Sequence, residues 1–148
     1  MAKIKAGDDI YSDKNDALEK VFNKKNVITI QKSNFKIKDN KFACFYNLSI
    51  VGEEGGWIHH KGKPDWLNIL DCNKKAFTQI NLKEETNSNN PLDGCECAVF
   101  FRLNDKYQFY GIFEQSVKPT DYPHRRICIF KRKSDELDID EWQDNDIK

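Results

Sequence analysis

The sequence predicts an α+β fold, with one N-terminal helix packed on a strongly curled, mostly antiparallel sheet or small β-barrel. Only residues 13–24 carry apolar side chains at helical spacing, and from residue 27 onward short apolar segments alternate with turns. The two segments on either side of Asn104-Asp-Lys106 are apolar on both alternating faces. Such strands are buried on both sides or line a barrel, which explains the predicted curled sheet.

The elements follow this pattern along the chain. Ser12 or Asp13 can cap the helix, and Lys24 suits the negative end of its dipole. Gly111 lies inside a strand and predicts a bulge, a bend or a close backbone approach. Residues 84–94 are polar and predict the most mobile loop. The predicted strands are residues 27–31, 35–37, 42–51, 57–60, 66–70, 76–80, 98–103, 107–113 and 126–131.

Charge divides the 148 residues into two parts. Residues 134–148 contain seven acids and one base, which leaves 17 acids and 23 bases before Ser134. We therefore predict a single domain over residues 1–133 and an acidic, partly ordered tail over 134–148. In this tail, Leu137, Ile139 and Trp142 can form a final helical turn. A basic domain favours a polyanionic partner, and a solvated surface beside an acidic end explains the same pattern.

Composition favours a cytoplasmic protein that does not associate with membranes. Charged residues make up 32% of the chain, and its mean hydropathy is −0.77. No apolar run approaches the roughly 18 residues of a membrane span, and the N-terminus has no signal-peptide core. The five cysteines lack the spacing of secreted domains, which favours a reducing compartment.

Metal sites are weakly indicated. Cys95 and Cys97 with His59 and His60 would provide four zinc ligands, but the sequence has no Cys-x-x-Cys pair and the histidines are adjacent. The sequence therefore predicts neither a metal nor another cofactor.

Catalytic patterns are equally weak. The two histidines near Asp65 and Asn68 suggest a nuclease, but no ββα pattern surrounds them. Asp65 could also begin a restriction-type carboxylate–lysine pattern, whose only downstream match is Asp146-Ile-Lys148. The sequence also lacks a Gly-x-Ser-x-Gly elbow and a phosphate-binding glycine loop. We expect a protein that is not an enzyme.

Aromatic and basic side chains instead indicate a nucleic-acid-binding surface, because aromatic faces stack on bases while cations hold phosphates. The predicted base or ligand pocket consists of Trp57, Trp66, Tyr46, Asn47, His59, Arg102 and Tyr110. The predicted phosphate-binding residues are Lys61, Lys63, Arg125 and Arg126. Core tryptophans and a solvated strand end would explain the same residues without a ligand.

The order of several motifs is also informative. Ile10-Tyr-Ser12 precedes the helix, an aromatic strand spans 42–47, and Gly55-Gly-Trp57 is followed by Trp66. Val99-Phe-Phe-Arg102 then precedes Tyr107-Gln-Phe-Tyr-Gly-Ile-Phe113, and a proline loop leads to Arg126-Ile-Cys-Ile-Phe130. Over most of residues 10–132, this order resembles the PUA/SRA-like β-barrel modules that accompany bacterial restriction and helicase–nuclease proteins.

In such modules the barrel holds a nucleobase, often a modified one, and a separate domain cuts. The resemblance therefore implies that Trp57, Trp66 and Tyr46 are pocket walls and that Arg102 is a polar reader. It implies a stand-alone reader, a subunit or an isolated domain, because no nuclease or helicase domain is attached.

Two functions follow from these observations. The first is a non-catalytic module that binds DNA or RNA and reads a base, which can be modified, in bacterial or phage defence. The alternative is a small protein-interaction or inhibitor protein whose acidic tail, around Trp142, mimics a polyanion and binds a protein partner.

Overall fold

Strands dominate the computed structural model of the chain, which describes residues 3–24, 33–51, 57–58, 66–81, 92–103, 105–118 and 127–143. The strands are β1 (Lys3–Lys5), β2 (Ile10–Tyr11), β3 (Asn34–Lys38), β4 (Lys41–Asn47), β5 (Ile50–Val51), β6 (Trp57–Ile58), β7 (Trp66–Leu70), β8 (Ala76–Asn81), β9 (Glu96–Leu103), β10 (Lys106–Val117), β11 (Ile127–Ser134) and β12 (Glu136–Asp138). The helices are α1 (Lys14–Phe22) and α2 (Ile139–Trp142). The strand predicted over 27–31 lies outside the described residues, as does most of the loop predicted over 84–94.

The main sheet has the strand order β3-β4-β9-β10-β11-β8-β7, and β2 pairs with β10 beside this path. β4 and β9 are parallel, with Phe45 opposite Phe100 and Asn47 opposite Arg102. The other pairings in this sheet are antiparallel. Two small antiparallel ribbons, β1 with β12 and β5 with β6, complete the described strands.

The predicted fold class is wrong. The described part of the chain is mostly β and has two short helices, of 9 and 4 residues, instead of one N-terminal helix on a curled sheet. Within the described residues, the strand path ends at β3 and β7 and does not close into a barrel. The apolar residues on both faces of β9 and β10 do not line a barrel, because each face of the sheet carries a core of its own.

Core 1 lies between the sheet and the two helices. Phe22 of α1 packs against Phe100 at 6.1 Å and against Trp142 of α2 at 6.0 Å between ring centroids. Phe45 and Phe100 stack at 4.9 Å across the parallel pair. The buried residues of this core are Ile4, Tyr11, Ala17, Leu18, Val21, Phe22, Phe35, Ile37, Ala43, Phe45, Ala98, Phe100, Tyr107, Phe109, Ile112, Leu137 and Trp142.

Core 2 lies on the opposite face. Phe77 stacks on its cross-strand neighbour Phe130 at 4.5 Å and also contacts Tyr46, Phe101 and Phe113. Its buried residues are Cys44, Tyr46, Leu48, Phe77, Leu92, Cys97, Val99, Phe101, Phe113, Cys128 and Phe130. Successive side chains of a strand point to opposite faces, so β4 and β9 supply alternate residues to the two cores.

Helix α1 has defined ends. The Asp13 carboxylate accepts a hydrogen bond from the Asp16 amide at 2.8 Å, and the Asp16 carboxylate accepts one from the Ser12 amide at 2.9 Å. This reciprocal pattern satisfies amides that a helix N-terminus leaves unpaired. The helix ends at Phe22 because Asn23 adopts a left-handed conformation, with φ of 56°.

Gly111 marks a bulge in β10, where the register with β9 shifts between Phe109 and Gly111. Its φ is +129°, and a β-carbon there would lie 2.8 Å from the carbonyl oxygen of Ser134. The predicted bulge and close backbone approach are both confirmed. Only glycine fits this position without strain.

The acidic segment up to Gln143 is packed against the rest of the chain. Leu137 and Trp142 are buried in core 1, and the Glu136 carboxylate pairs with Lys3 and Lys5 at 3.8 and 3.5 Å. The Lys41 ammonium lies 4.7 Å from the centre of the Trp142 ring. Neither described helix is long and apolar enough to cross a membrane.

Trp142→Ala should lower the free energy of unfolding by about 3–5 kcal/mol, because it leaves a cavity beside Phe22 in core 1. Urea denaturation followed by circular dichroism measures the change. Glu141→Ala is the matched control, since its side chain is exposed and its loss should cost at most about 0.5 kcal/mol. Equal midpoints for the two variants would contradict the placement of α2 in the core.

Candidate nucleic-acid interface

The predicted pocket residues that the structure describes lie on two faces of the sheet. Tyr46 and Tyr110 lie on the side of core 2 and both contact Phe101, at 6.5 and 5.0 Å between ring centroids. Asn47 and Arg102 each follow a core 2 residue in sequence and therefore point to the other face. The structure thus brings together two pairs of predicted residues, and whether either pair binds a ligand stays a prediction.

The remaining predicted residues are placed only in part. Trp57 begins β6 and Trp66 begins β7, the strand that also carries Asn68. His59 and the four predicted phosphate-binding residues, Lys61, Lys63, Arg125 and Arg126, lie outside the described residues. Their roles stay predictions.

Tyr46 forms an aromatic wall with a polar end. Its ring lies 6.0 Å from that of Phe77, and its hydroxyl donates a hydrogen bond to Asn34 Oδ1 at 2.6 Å. Burial raises the pKa of Tyr46 well above its ordinary value. The phenol is therefore neutral at physiological pH and keeps its proton as a donor.

Beside this wall lies a group of residues, joined by hydrogen bonds of side chains and backbone, that we call the amide cluster: Asn47, Ser49, Asn68 and Gln79. Gln79 Nε2 donates to Asn68 Oδ1 at 2.9 Å, and Asn68 Nδ2 donates to the Asn47 carbonyl oxygen at 3.0 Å. The Asn68 amide donates to Ser49 Oγ at 3.1 Å, and the Ser49 amide donates to the Asn68 carbonyl oxygen at 3.0 Å. The cluster thus connects β7 and β8 with the end of β4.

Burial makes this cluster unusual. Ser49, Asn68 and Gln79 are 5%, 4% and 9% exposed, and they are the buried polar residues in the part of the chain that the structure describes. A buried amide costs free energy unless its donors and acceptors are hydrogen-bonded. The cluster therefore holds amide groups in fixed orientations next to the buried ring of Tyr46.

Arg102 lies at the end of β9, on the core 1 side. Its Nε donates to Asn47 Oδ1 at 2.8 Å, and its guanidinium carbon lies 5.4 Å from the centre of the Tyr107 ring. Asn47 therefore connects Arg102 with the amide cluster, since its side chain accepts from Arg102 and its carbonyl oxygen accepts from Asn68.

The thiols of Cys44, Cys95 and Cys97 are buried, and none of the three forms a disulfide. The contact with Cys44 and burial raise the pKa of Cys97, and burial raises that of Cys95, so both remain protonated. Among the described residues, no group of three or more His, Cys, Asp or Glu side chains could hold a metal ion. His59 and His60 are not among these residues.

The sequence analysis missed the importance of Ser49 and Gln79, and it considered Asn68 only within a weak nuclease pattern. A signal was nevertheless present, because Asn68 and Gln79 each occupy the middle of a short apolar strand. In the antiparallel pair β7 and β8 they lie directly opposite each other. That the two side chains face each other follows only from the register of β7 with β8, which the sequence of one strand does not reveal.

No family model matches the chain, and no curated protein matches it. The solved structures contain a match to a restriction enzyme. This structure is described as the 5-hydroxymethylcytosine-specific restriction enzyme AbaSI; it has a TM-score of 0.62 and 18% sequence identity, and it covers 91% of this chain. The chain spans 42% of the enzyme's chain.

At this level of identity the likeness shows the fold alone. The likeness therefore confirms that this chain has a fold found in a restriction protein. The finer assignment to the PUA/SRA-like modules remains part of the proposal below.

Asn68→Ala should destabilise the fold by roughly 1–3 kcal/mol for each buried group that it leaves unpaired, namely Gln79 Nε2 and the Asn47 carbonyl. Denaturant unfolding measures the loss. Asn73→Ala is a control of the same residue type, since Asn73 Oδ1 accepts from the Lys75 amide in an exposed turn. A double-mutant cycle with Gln79→Ala should give a coupling energy of about 0.5–3 kcal/mol, and additive losses would argue against the cluster.

Proposed function

We propose that this chain is a cytoplasmic, non-catalytic DNA-binding module of the SRA-like type, which reads a modified base in bacterial or phage defence. One observation carries the proposal: the amide cluster lies buried beside the aromatic wall of Tyr46, in the fold of an enzyme specific for 5-hydroxymethylcytosine. A base that leaves the duplex is held by stacking on aromatic rings and by hydrogen bonds to its edge. The two parts of the site supply these two interactions.

The chemistry of the cluster favours a base that carries an extra polar group. Carboxamides donate through nitrogen and accept through oxygen, so they can bind both the exocyclic amine of cytosine and an added hydroxyl group. A site built to hydrogen-bond a hydroxyl group strongly rejects a ligand that lacks it. We therefore propose that cytosine with a hydroxylated substituent at C5 is preferred over unmodified cytosine.

The residues predicted from the sequence have a place in this proposal. We propose that Trp57 and Trp66 stack on the base. Lys61, Lys63, Arg125 and Arg126 contact the DNA backbone, as expected for a domain with 23 bases and 17 acids before Ser134.

Titration of fluorescently labelled oligonucleotides should show tightest binding to DNA with 5-hydroxymethylcytosine, and weaker binding at higher salt. Trp66→Ala should lower affinity by about 5–150-fold, the equivalent of roughly 1–3 kcal/mol for one base–aromatic stack. Trp142→Phe is the control for loss of a tryptophan from the core, and it should leave affinity unchanged. Folded Trp57→Ala and Trp66→Ala variants that both bind like the wild type would contradict the pocket.

Incubation of the same labelled DNA with the chain and Mg²⁺, Mn²⁺ or Zn²⁺ should leave the DNA intact. Cleavage that depends on a metal ion, and that is lost in His59→Ala, would contradict a non-catalytic role.

The alternative partner is a protein that binds the acidic segment. Deletion of residues 134–148 is a poor test, because it removes Leu137 and Trp142 from core 1. Asp135, Asp140 and Glu141 are exposed, so their combined change to Asn, Asn and Gln keeps the packing. This variant should bind DNA as well as the wild type or more tightly, since repulsive charge is removed. Loss of a captured protein partner would favour the alternative.

A further inference from the structure

Four residues form a row across one end of the main sheet. The registers place Asn47 of β4 opposite Arg102 of β9, Arg102 opposite Tyr107 of β10, and Tyr107 opposite Tyr11 of β2. Both tyrosines belong to core 1, so the whole row faces that side of the sheet. Tyr11 and Tyr107 are buried, whereas Asn47 and Arg102 are partly exposed. The row therefore has an accessible polar half.

The side chain of Arg102 is held from two directions. Its Nε donates to Asn47 Oδ1 at 2.8 Å, and its guanidinium carbon lies over the Tyr107 ring, 5.4 Å from the ring centre. Tyr107 is itself fixed, because its ring packs edge-to-face on Phe45 with 5.3 Å between ring centroids. The hydrogen bond and the ring contact together restrict the plane of the guanidinium.

The terminal nitrogens of Arg102 are not used within the part of the chain that the structure describes. The bond to Asn47 uses the N–H group on Nε, and the N–H groups of the two terminal nitrogens remain. The ion pairs among the described residues do not include Arg102. The guanidinium therefore presents a planar pair of donors to a ligand with two acceptors.

The fixed plane favours a planar ligand. Guanine presents N7 and O6 as coplanar acceptors in the major groove, and a bidentate arginine is the commonest contact that specifies this base. A backbone phosphate also accepts from arginine, but its oxygens surround the phosphorus and can be approached from many directions. Restricting the plane of Arg102 lowers the entropy lost on binding a base edge and brings little advantage for a phosphate.

The position of Arg102 in the sheet suits contact with base edges. Asn47 is the last residue of β4 and Tyr11 the last of β2, so the β9–β10 hairpin is the part of the sheet that extends past the row. Leu103 pairs with Lys106 to close this hairpin, directly beside Arg102. The major groove admits a two-stranded β-ribbon. The hairpin end can therefore bring the guanidinium to the edge of a base pair.

We propose that Arg102 binds N7 and O6 of a paired guanine that neighbours the modified cytosine, and that it gives the module a preference for flanking sequence. This inference rests on the proposed function and deepens it. Asn47 is the positioning residue, since its side chain orients Arg102 while its carbonyl oxygen accepts from Asn68 of the amide cluster. Arg102, which the sequence analysis placed in the base pocket, is assigned to the flanking guanine instead.

The first test changes only the DNA and keeps the wild-type chain. Duplexes with one 5-hydroxymethylcytosine carry guanine at each neighbouring position in turn. Affinity should be highest with guanine at one of these positions, by about 5–150-fold over the other bases, the range for one bidentate arginine–guanine contact. Replacing that guanine with 7-deazaguanine removes the N7 acceptor and should remove most of this preference. Equal affinity for the two bases would overturn the proposal.

Substitutions then separate a planar contact from a charge. Arg102→Lys keeps the charge and loses the planar fork, so it should lose the guanine preference while the salt dependence of binding stays unchanged. Asn47→Ala should reduce the preference, because the guanidinium is no longer oriented. Lys106→Gln is the matched control from the same hairpin: its side chain is exposed, and its loss should weaken binding to all sequences equally.

Two results with these variants would contradict the contact with guanine. One is a guanine preference that Arg102→Lys retains. The other is an equal loss of affinity for all sequences in Arg102→Gln, with a slope of log affinity against log salt that is shallower by about 0.7–0.9, which is the result expected for a phosphate contact.

Failure of this contact and failure of the proposed function give different results. A preference for 5-hydroxymethylcytosine over cytosine, without a preference for neighbouring guanine, would reject the role of Arg102 and keep the base-reading function. A guanine preference without a preference for the modified base would keep the role of Arg102 and reject the reading of the modification. Absence of binding to every duplex would reject both.

Discussion

The parallel pairing of β4 with β9 is the interaction on which the rest of the structure depends. It stacks Phe45 on Phe100 in core 1 and sets Tyr46 beside Phe101 in core 2. A slip of one residue would exchange the two faces and place apolar side chains against the wrong core. The same register places Asn47 opposite Arg102. Packing on both faces thus fixes the positions of the polar residues at the end of the pair.

Hydrogen-bonded polar side chains concentrate where the parallel pair of β4 and β9 ends. The interior of β4 and β9 is apolar on both faces, and polar residues follow it: Asn47 ends β4, and Arg102 precedes the last residue of β9. There Asn47 connects Arg102 with Asn68 of the amide cluster, which belongs to the neighbouring strand β7. Buried hydrogen bonds restrict the amides to a single arrangement, and preorganisation of this kind lowers the entropy lost when a ligand binds.

Local chemistry allowed parts of this structure to be predicted. The apolar residues at helical spacing before Asn23 correctly predicted α1. The glycine in an apolar strand correctly indicated the bulge at Gly111. Long-range features escaped prediction. The helical turn around Trp142 was predicted correctly, but its place in core 1 beside Phe22 was not. Apolar residues on both faces of β9 fit a barrel as well as a sheet with two cores. In the sequence, Asn68 and Gln79 resemble surface residues. Only the register of β7 with β8 shows that they lie opposite each other.

The parallel pair also has a consequence for how the chain folds. Lys41 pairs with Glu96, and the same offset of 55 residues continues to Asn47 and Arg102. The chain must close this long loop before the central contacts form. β1 can pair only after β12 has been synthesised, and β12 lies near the other end of the described chain. Contacts so distant in sequence slow folding, because the entropy of loop closure is lost before packing compensates for it. During synthesis the nascent chain therefore exposes the aromatic faces of both cores for most of the time needed to make it, which makes it a candidate for assistance by chaperones.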